Sequence, residues 1–556
     1  MRWVGRLVLY LSLIAPAIWA ATSISSLSAT PAHVQANTRT SVTITATVSG
    51  GTVITDTVVV LVLNAQGVPV KKLGTLSPVQ AGSTTYAGRF QITSPRTGAI
   101  PLVVTAASQG SVTLAQSPVF SLRVRPAPVY PLKLSSTGRY LVDQQNTPFF
   151  MVGEDAWSLI TQLSNGQVER YLSDRASRGF NTIWVGAADN IYQANPPYNY
   201  YGNAPFDGPD FTNEDSAYWS HVDYVLQRAA AYGITVMLDP GFVGIDASGG
   251  YYNSYQNSSD AVMTAYGTWL GTRYRNQPNL IWVLGGDWDP SNSNISGKIA
   301  DLGVALQAAD PNHLITAEAI RGESSLDALA GPPSWLGLNW VYLVPTSIPT
   351  GAASNYSRFP WLPPLMGEDW YEGEHSMTDF QVRQEGYWAI LSGTYLGRIF
   401  GNYAIWAFSA PQITTDPWQN QLGSPGSVSQ SILGDLFYSR EHWLLVPDIN
   451  HTVLTGGYEW GPTLSVAART SDGQSVIAYL SDGNATAKTV DMSQVTDPGS
   501  QAKCWWYNPQ TGAATLIGVF PTQGARTFTA PDGNDWVLII DSLAANLPAP
   551  GAAALR

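Results

Sequence analysis

Cysteine is nearly absent: Cys504 is the one example in 556 residues. No intrachain disulfide can form, and a cysteine-based zinc site lacks its ligands. Histidine is scarce as well, and the six (His33, His221, His313, His375, His442, His451) include no pair at the i, i+4 spacing of a helical metal site. Charge is thin, at 12% of residues, and 28 Lys and Arg stand against 40 Asp and Glu, a net charge of -12. The basic footprint of a nucleic-acid binder is missing. Beyond the first 21 residues no run reaches the ~20 apolar residues of a membrane-spanning helix. These scarcities disfavour a metal-dependent isomerase or hydrolase and imply no cofactor. Any chemistry must rest on carboxylates and aromatics.

Those are plentiful. The chain is 44% hydrophobic and carries 20 Trp, 27 Tyr and 15 Phe. Such a length suggests three or four domains, or one large barrel with attachments. Residues 1–21 read as a secretory signal: Arg2 and Arg6, an apolar run from Leu7 to Ile14, then Ile18-Trp19-Ala20-Ala21. An uncleaved anchor is the other reading of such a segment. Export with cleavage predicts a periplasmic or secreted bacterial protein, free of the membrane once cut.

Three blocks follow. Residues 22–128 alternate apolar and polar side chains over 41–48, 57–63, 86–92, 101–106 and 119–124, with turn residues between, which predicts an immunoglobulin-like β-sandwich. Arg125-Pro126-Ala127-Pro128 reads as a stiff linker. Residues 129–445 alternate apolar runs with helical segments. Strand candidates are 149–153, 182–185, 234–239, 280–287, 314–318, 336–343, 365–368 and 403–406; helices fall at 167–178, 221–232, 261–274 and 297–308. Continuous apolar runs fit strands buried on both faces, and eight such units fit a (β/α)8 TIM barrel. A doubly wound sheet is the alternative, but no Gly-rich phosphate loop opens a helix. Residues 446–556 return to alternation and predict a second β-sandwich.

A (β/α)8 barrel keeps its chemistry at the C-terminal ends of its strands. Those ends carry Glu154 with Asp155 and Trp157, Asp239, Asp287 with Trp288, Glu318, Asn339 and Tyr342, Glu368 with Trp370 and Tyr371, and Trp406. Indole faces pack against the C–H face of a sugar ring, and carboxylates bind hydroxyls. Glycosidic cleavage needs two carboxyls, one an acid and one a base or nucleophile. Asp287 and Glu368, on the fourth and seventh strands, face each other across such a mouth and are the candidate catalytic pair. Glu154, Trp157, Asp239, Trp288, Glu318, Asn339, Tyr342, Trp370, Tyr371 and Trp406 are the candidate substrate contacts. The aromatic insertion 192–211, with Tyr192, Tyr198, Tyr200 and Tyr201, points to an extended or covered cleft.

Gly153-Glu154-Asp155-Ala156-Trp157, Arg170-Tyr171-Leu172, Gly179-Phe180-Asn181, Ile281 to Asp287 and Pro364-Leu365-Met366-Gly367-Glu368 together resemble the apiosidase-like glycoside hydrolases over residues 135–445. His442-Trp443, Pro447-Asp448, Trp505 to Pro509 and Asp535 to Leu538 resemble the collagen-binding-type sandwich that often follows this barrel. The resemblance implies a retaining glycosidase with Asp287 as acid/base and Glu368 as nucleophile. Three places depart from the family pattern: Glu154-Asp155 stands where Asp-Thr is usual, Glu318 where a histidine is, and Asn339-Trp340-Val341-Tyr342 where a Gln-rich ending is. The departures leave the hydrolytic pair in place and fall on positions that line the sugar pocket. The expected function is cleavage of a plant or bacterial polysaccharide or oligosaccharide. The alternative is a non-catalytic carbohydrate- or matrix-binding protein on the same scaffold.

Overall fold

The computed structural model describes residues 22–552, except 31–32, 36–38, 51, 65–67, 95–97, 110–113, 126–127, 359–360, 412 and 483–486. The expected signal at 1–21 lies outside the described residues, as do the central two residues of the expected linker. The chain divides into two compact units. One ends at Arg125 and also holds Ala552; the other is Pro126–Gly551.

The first unit is a two-sheet sandwich. Ser23–Thr30, Thr40–Ser49, Thr85–Ile92 and Ser77–Pro78 make one sheet; His33–Gln35, Phe120–Arg125, Gly98–Ser108, Val53–Leu63 and Pro69–Thr75 make the other, with Ala115–Gln116 beside Gly98–Ser108. Alternation does the work: Val42, Ile44, Ala46 and Val48 face Val58, Val60, Leu102 and Val104 in one core.

The second unit begins with a short antiparallel ribbon (Lys133–Leu134, Leu141–Val142, Pro148–Phe149) and then forms the barrel. Its strands are β1 (Met151–Asp155), β2 (Thr182–Gly186), β3 (Thr235–Asp239), β4 (Leu280–Trp288), β5 (Ile315–Ala319), β6 (Asn339–Tyr342), β7 (Pro364–Glu368) and β8 (Gly397–Phe400). The larger helices are α1 (Asn165–Arg178), α2 (Ser216–Ala231), α3 (Asp260–Tyr274), α4 (Ser293–Ala309), α5 (Ile348–Ser357), α6 (Asp379–Ser392) and α7 (Pro425–Tyr438). The parallel sheet runs β5-β4-β3-β2-β1-β8-β7-β6, and an Ile315–Leu336 bridge brings its two ends together. The eighth strand is Gly397–Phe400, not the expected 403–406, which forms a turn beyond it. Arg398 breaks the apolar run there: it is buried against Asp369 (Nε to Oδ2 2.6 Å) and Glu385 (3.2 Å).

Strand alternation divides the barrel core in two. Met151, Trp184, Met237, Ile281, Val283, Trp340, Leu365 and Ile399 fill the interior with Leu141 and Phe149 of the ribbon. Ile183, Val236, Leu238, Trp282, Leu284 and Ala317 pack outward among the apolar faces of the helices. Each fully buried aliphatic side chain contributes about 1.5–3 kcal/mol.

The C-terminal sandwich pairs a six-stranded sheet (Leu445–Pro447, Val466–Thr470, Ser475–Leu480, Trp536–Ser542, Gln501–Tyr507, Ala514–Pro521) with a three-stranded one (Leu454–Gly456, Lys488–Asp491, Ala525–Phe528). Trp505 and Trp506 are buried in it. It docks on α6 and α7. Arg383 on α6 grips Asp535 through two 2.7 Å contacts, and Arg440 beyond α7 grips Asp541 at 2.9 and 2.7 Å. Trp388 Nε1 donates to the Leu464 carbonyl (2.9 Å), and the Tyr387 and Tyr479 rings stack at 4.7 Å. Residues 382–392 of α6 are buried without interruption, as expected of a helix covered on both faces.

Removing one member of a buried pair leaves an uncompensated charge. Arg440→Met is therefore expected to cost about 3–5 kcal/mol, and the double variant Arg440→Met/Asp541→Leu to recover most of it. Unfolding of the whole chain in denaturant measures both. Equal midpoints for wild type and the single variant would exclude a structural role for the pair.

Candidate active site

The acidic positions converge at the C-terminal end of the barrel, and two of the strands that carry them are irregular there. On β4 the register with β5 slips: Gly285 pairs with Glu318 and Trp288 with Ala319, so Gly286 and Asp287 bulge out. Gly285 (φ 113°) and Gly286 (φ 83°) take left-handed backbone, and Asp287 follows at φ 53° despite its side chain. A Cβ at Gly286 would meet the Phe242 ring at 2.5 Å, so the bulge requires glycine there. Glu318 Oε2 accepts the Asp287 N–H at 2.6 Å and holds this conformation. On β7 the slip lies at Gly367: Val341 pairs with Met366, but Tyr342 pairs with Glu368. The Trp340 ring occupies the place of a Gly367 Cβ, at 2.1 Å.

Around Glu368 the hydrogen-bonding contact is a tyrosine hydroxyl. Tyr371 Oη lies 2.9 Å from Glu368 Oε1 and 2.5 Å from Asp155 Oδ2. Tyr342 is near enough to feel the charge of Glu368, and the Arg321 guanidinium lies 5.8 Å from the centre of its ring. Asp287 differs: it is half-buried, and its carboxyl has no hydrogen bond among the described residues. Tyr192, half-buried, is near enough to sense the charges of Asp287, Glu368 and Glu318, and packs on Phe242 (5.4 Å) and Trp406 (4.8 Å).

So many carboxyls in one place shift one another. Burial pushes Asp287 up to about 6, with Arg321 pulling down and Glu374 adding to the rise. Asp155 is pushed up to about 7 by burial, against the Tyr371 hydrogen bond. Glu368 rises through burial and then the charges of Asp287 and Asp155; Glu318 rises through burial and then Asp287 and Glu368. Perturbed carboxyls crowded at a barrel mouth are what acid–base chemistry needs.

The structure brings Asp287, Glu368, Glu318, Tyr342, Tyr371 and Trp406 together. It takes three other candidates away, all by strand alternation. Glu154 faces outward and is sealed in an ion pair with Arg175 (2.7 Å) and a Tyr171 hydrogen bond (2.6 Å). Its neighbour Asp155 faces the mouth instead. Trp288 is 0% exposed, packed in the outer core with Ile295 and Ile299, and donates to Ser296 Oγ (3.2 Å). Asn339 turns outward to the Leu326 N–H (3.2 Å) and the Asn355 amide (2.8 Å). Asp239 and Trp157 are sealed from solvent: Asp239 Oδ1 accepts the Gly241 N–H (2.7 Å), and Trp157 packs on Trp184 (5.0 Å) and Phe242 (5.3 Å). Trp370 is half-buried against His375, at 4.5 Å between rings.

Of the 192–211 insertion, only Tyr192 is near the acidic cluster; Tyr198, Tyr200 and Tyr201 are exposed, and Phe206 and Phe211 join the outer core. Asp189 fixes the start of this loop through the Ile191 and Tyr192 N–H groups (2.9 and 3.2 Å) and Ser158 Oγ (3.1 Å). Neither Asp189 nor Arg321 was evident from sequence, because both lie in loops without periodicity. Among the described residues no group of three or more His, Cys, Asp or Glu could hold a metal ion, and no helix is long and apolar enough to cross a membrane.

The apiosidase-like catalytic domain family matches residues 135–444, and the family described as "Putative collagen-binding domain of a collagenase" matches residues 446–541. A solved glycoside hydrolase is 26% identical, with TM-score 0.66, over 74% of this chain and 97% of its own. A glycoside hydrolase family 5 protein from Bacteroides vulgatus ATCC 8482 is 24% identical, with TM-score 0.66, over 75% of this chain and 94% of its own, a likeness of fold. No curated protein matches the chain.

The folded protein holds protons on Asp287 and Asp155 that the unfolded chain has released, because both values lie above the ordinary 3.8 when folded. Stability from this source is full below that value and is lost as pH rises through about 6 and about 7. The melting temperature is thus expected to fall from pH 4 towards pH 7, and Asp155→Asn to flatten the upper part of the slope. A melting temperature that rises across this window would contradict the site's electrostatics.

Proposed function

The chain belongs to the apiosidase-like family of glycoside hydrolases, and we propose that it is an exported, retaining enzyme acting on a plant or bacterial polysaccharide by double displacement. Hydrolysis of a glycosidic bond follows from the family and from the barrel it shares with solved glycoside hydrolases. One observation carries the finer reading: the two carboxyls are unequally served. Glu368 receives the Tyr371 hydroxyl, whereas Asp287 has no such contact and stands half-buried. A carboxylate solvated by an O–H donor suits a nucleophile. A free carboxyl with its value raised to about 6 suits a group that gives and takes a proton near working pH.

In this reading Glu368 attacks the anomeric carbon while Asp287 protonates the departing oxygen. A glycosyl ester forms on Glu368 and the leaving alcohol departs. Asp287, now a carboxylate, takes a proton from water, whose oxygen displaces Glu368 and restores the first state. The oxocarbenium-like transition state is positive, and the acidic mouth favours it electrostatically. Tyr192 and Trp406 offer ring faces to the sugar. Export rests on the sequence of residues 1–21.

A panel of pectic, arabinofuranose-containing and bacterial glycans tests the reading by release of reducing sugar. Asp287→Ala is expected to lower turnover by about 10²–10⁴, and Glu368→Ala to abolish it. A 2-fluoro analogue of the sugar cleaved should leave a covalent adduct that peptide mass mapping locates on Glu368. Cleavage without any adduct, and with inverted product, would replace retention by inversion. Undiminished cleavage by both variants would remove the pair from the mechanism.

A further inference from the structure

Tryptophan is buried or half-buried throughout the described residues, with one exception: Trp460 is 74% exposed. It stands in the C-terminal sandwich, between Leu454–Gly456 and Val466–Thr470. Two hydrogen bonds close its turn, from the Ser465 N–H to the Tyr458 carbonyl (2.7 Å) and from the Leu464 N–H to the Gly461 carbonyl (3.1 Å). Two other rings back the indole. His451 and Tyr458 stack face to face, 3.7 Å between centroids and 8° from parallel. Trp460 stands nearly perpendicular to both, 5.7 Å from Tyr458 and 6.3 Å from His451. The loop that carries His451 is itself fixed, because Asp448 accepts the Thr452 N–H (2.6 Å) and the Leu454 N–H (2.8 Å). That loop also walls a cavity of about 170 Å³, to which Asn450, Thr452 and Arg469 bring polar side chains. An exposed ring held this way needs little ordering when a ligand arrives.

The surroundings of the ring favour a sugar over a protein. A protein partner is met by a contiguous apolar patch. Here Ile449 is the one other exposed large apolar side chain on the two loops, and Glu459, Gly461 and Thr463 flank the indole. One flat ring with polar groups at its edge matches the C–H face of a sugar and its hydroxyls. The turn also climbs towards the catalytic mouth. The helix α6 follows β7, so its N-terminal end lies on the side that carries Glu368. The Leu464 carbonyl is tied to Trp388 Nε1 (2.9 Å) and the Pro462 carbonyl to Gln384 Nε2 (2.7 Å). Gln384 is one turn nearer that end, about 6 Å along the helix. Trp460 lies two residues further in the same direction along the chain. We propose that Trp460, backed by Tyr458 and His451, is a second carbohydrate-binding site, which holds a stretch of the polysaccharide that the mouth cleaves. The sandwich is clamped to the barrel through Arg383 and Arg440. A polymer held at Trp460 therefore keeps its bonds at high effective concentration beside the carboxyls. That the bound polymer is also the substrate rests on the hydrolase reading; the binding site does not.

Affinity electrophoresis of the full chain, in native gels containing pectin, arabinan or xanthan, tests the site. Glu368→Ala serves as the parent, so that no polymer is cut in the gel. At least one polymer should retard the parent. Adding Trp460→Ala should raise the dissociation constant about tenfold or more, as the loss of one central aromatic contact does. Trp460→Phe should keep part of the affinity. An unchanged melting temperature checks that removing this exposed side chain leaves the fold intact. With Glu368 restored, Trp460→Ala should raise KM on the polymer and leave kcat on its short oligosaccharides unchanged. Equal retardation of the parent and of Trp460→Ala would put all binding at the mouth and overturn the proposal. So would a panel in which no polymer retards the parent. Binding to fibrillar collagen that is lost in Trp460→Ala, with no effect of any polymer, would give the ring to a protein partner and overturn it too. Retardation that depends on Trp460, with no polymer cleaved by wild type, would keep this site and remove the hydrolase reading instead.

Discussion

Negative charge is crowded into the mouth of this barrel, and most of the site's detail answers to that. Asp155, Asp287, Glu318 and Glu368 come together, with Asp239 close enough to Glu318 to be felt. Each ionised carboxyl raises the cost of ionising the next, and burial raises it further. Relief comes from protons, from the Tyr371 hydroxyl and from the Arg321 guanidinium. Elsewhere the second unit treats buried charge differently: Glu154, Asp369, Asp535 and Asp541 are each matched by an arginine. The contrast separates groups that hold the fold from groups available to react.

Backbone irregularity does the placing. A regular strand alternates its side chains, and Gly367, whose Cβ position points at Trp340, would send Glu368 the opposite way. The slip in register at Gly367 turns it into the mouth beside Tyr342. On β4, Gly285 and Gly286 carry Asp287 into left-handed backbone, and Glu318 pins its N–H. Local strain on β4 is spent on aiming Asp287.

Much of this was legible in the sequence. Apolar runs doubly buried in parallel strands gave seven of the barrel strands, and the alternating segments gave both sandwiches. The two expected catalytic carboxyls meet at the expected end of the barrel. The misreadings have a shared physical cause. Glu154, Trp288 and Asn339 each sit one residue from a side chain that does face the interior or mouth, namely Asp155, Asp287 and Trp340. Closeness to a strand end was read where parity decides. The eighth strand was hidden by Arg398, whose charge is buried only because Asp369 and Glu385 come to meet it from distant parts of the chain. Asp155 was visible at a departure from the family pattern, yet its tyrosine partner is 216 residues away and only the fold brings them together.

The helix α6 belongs to two bodies at once, covered by the barrel on one side and gripped by the C-terminal sandwich through Arg383 and Trp388 on the other. The tail is thus a splint rather than a detachable module. Anyone transplanting this barrel, or borrowing the sandwich as a fusion tag, must keep Arg383 of α6 and Arg440 together with Asp535 and Asp541. Cutting at the apparent boundary near residue 446 would expose the apolar flank of a helix and leave stranded charges on both pieces.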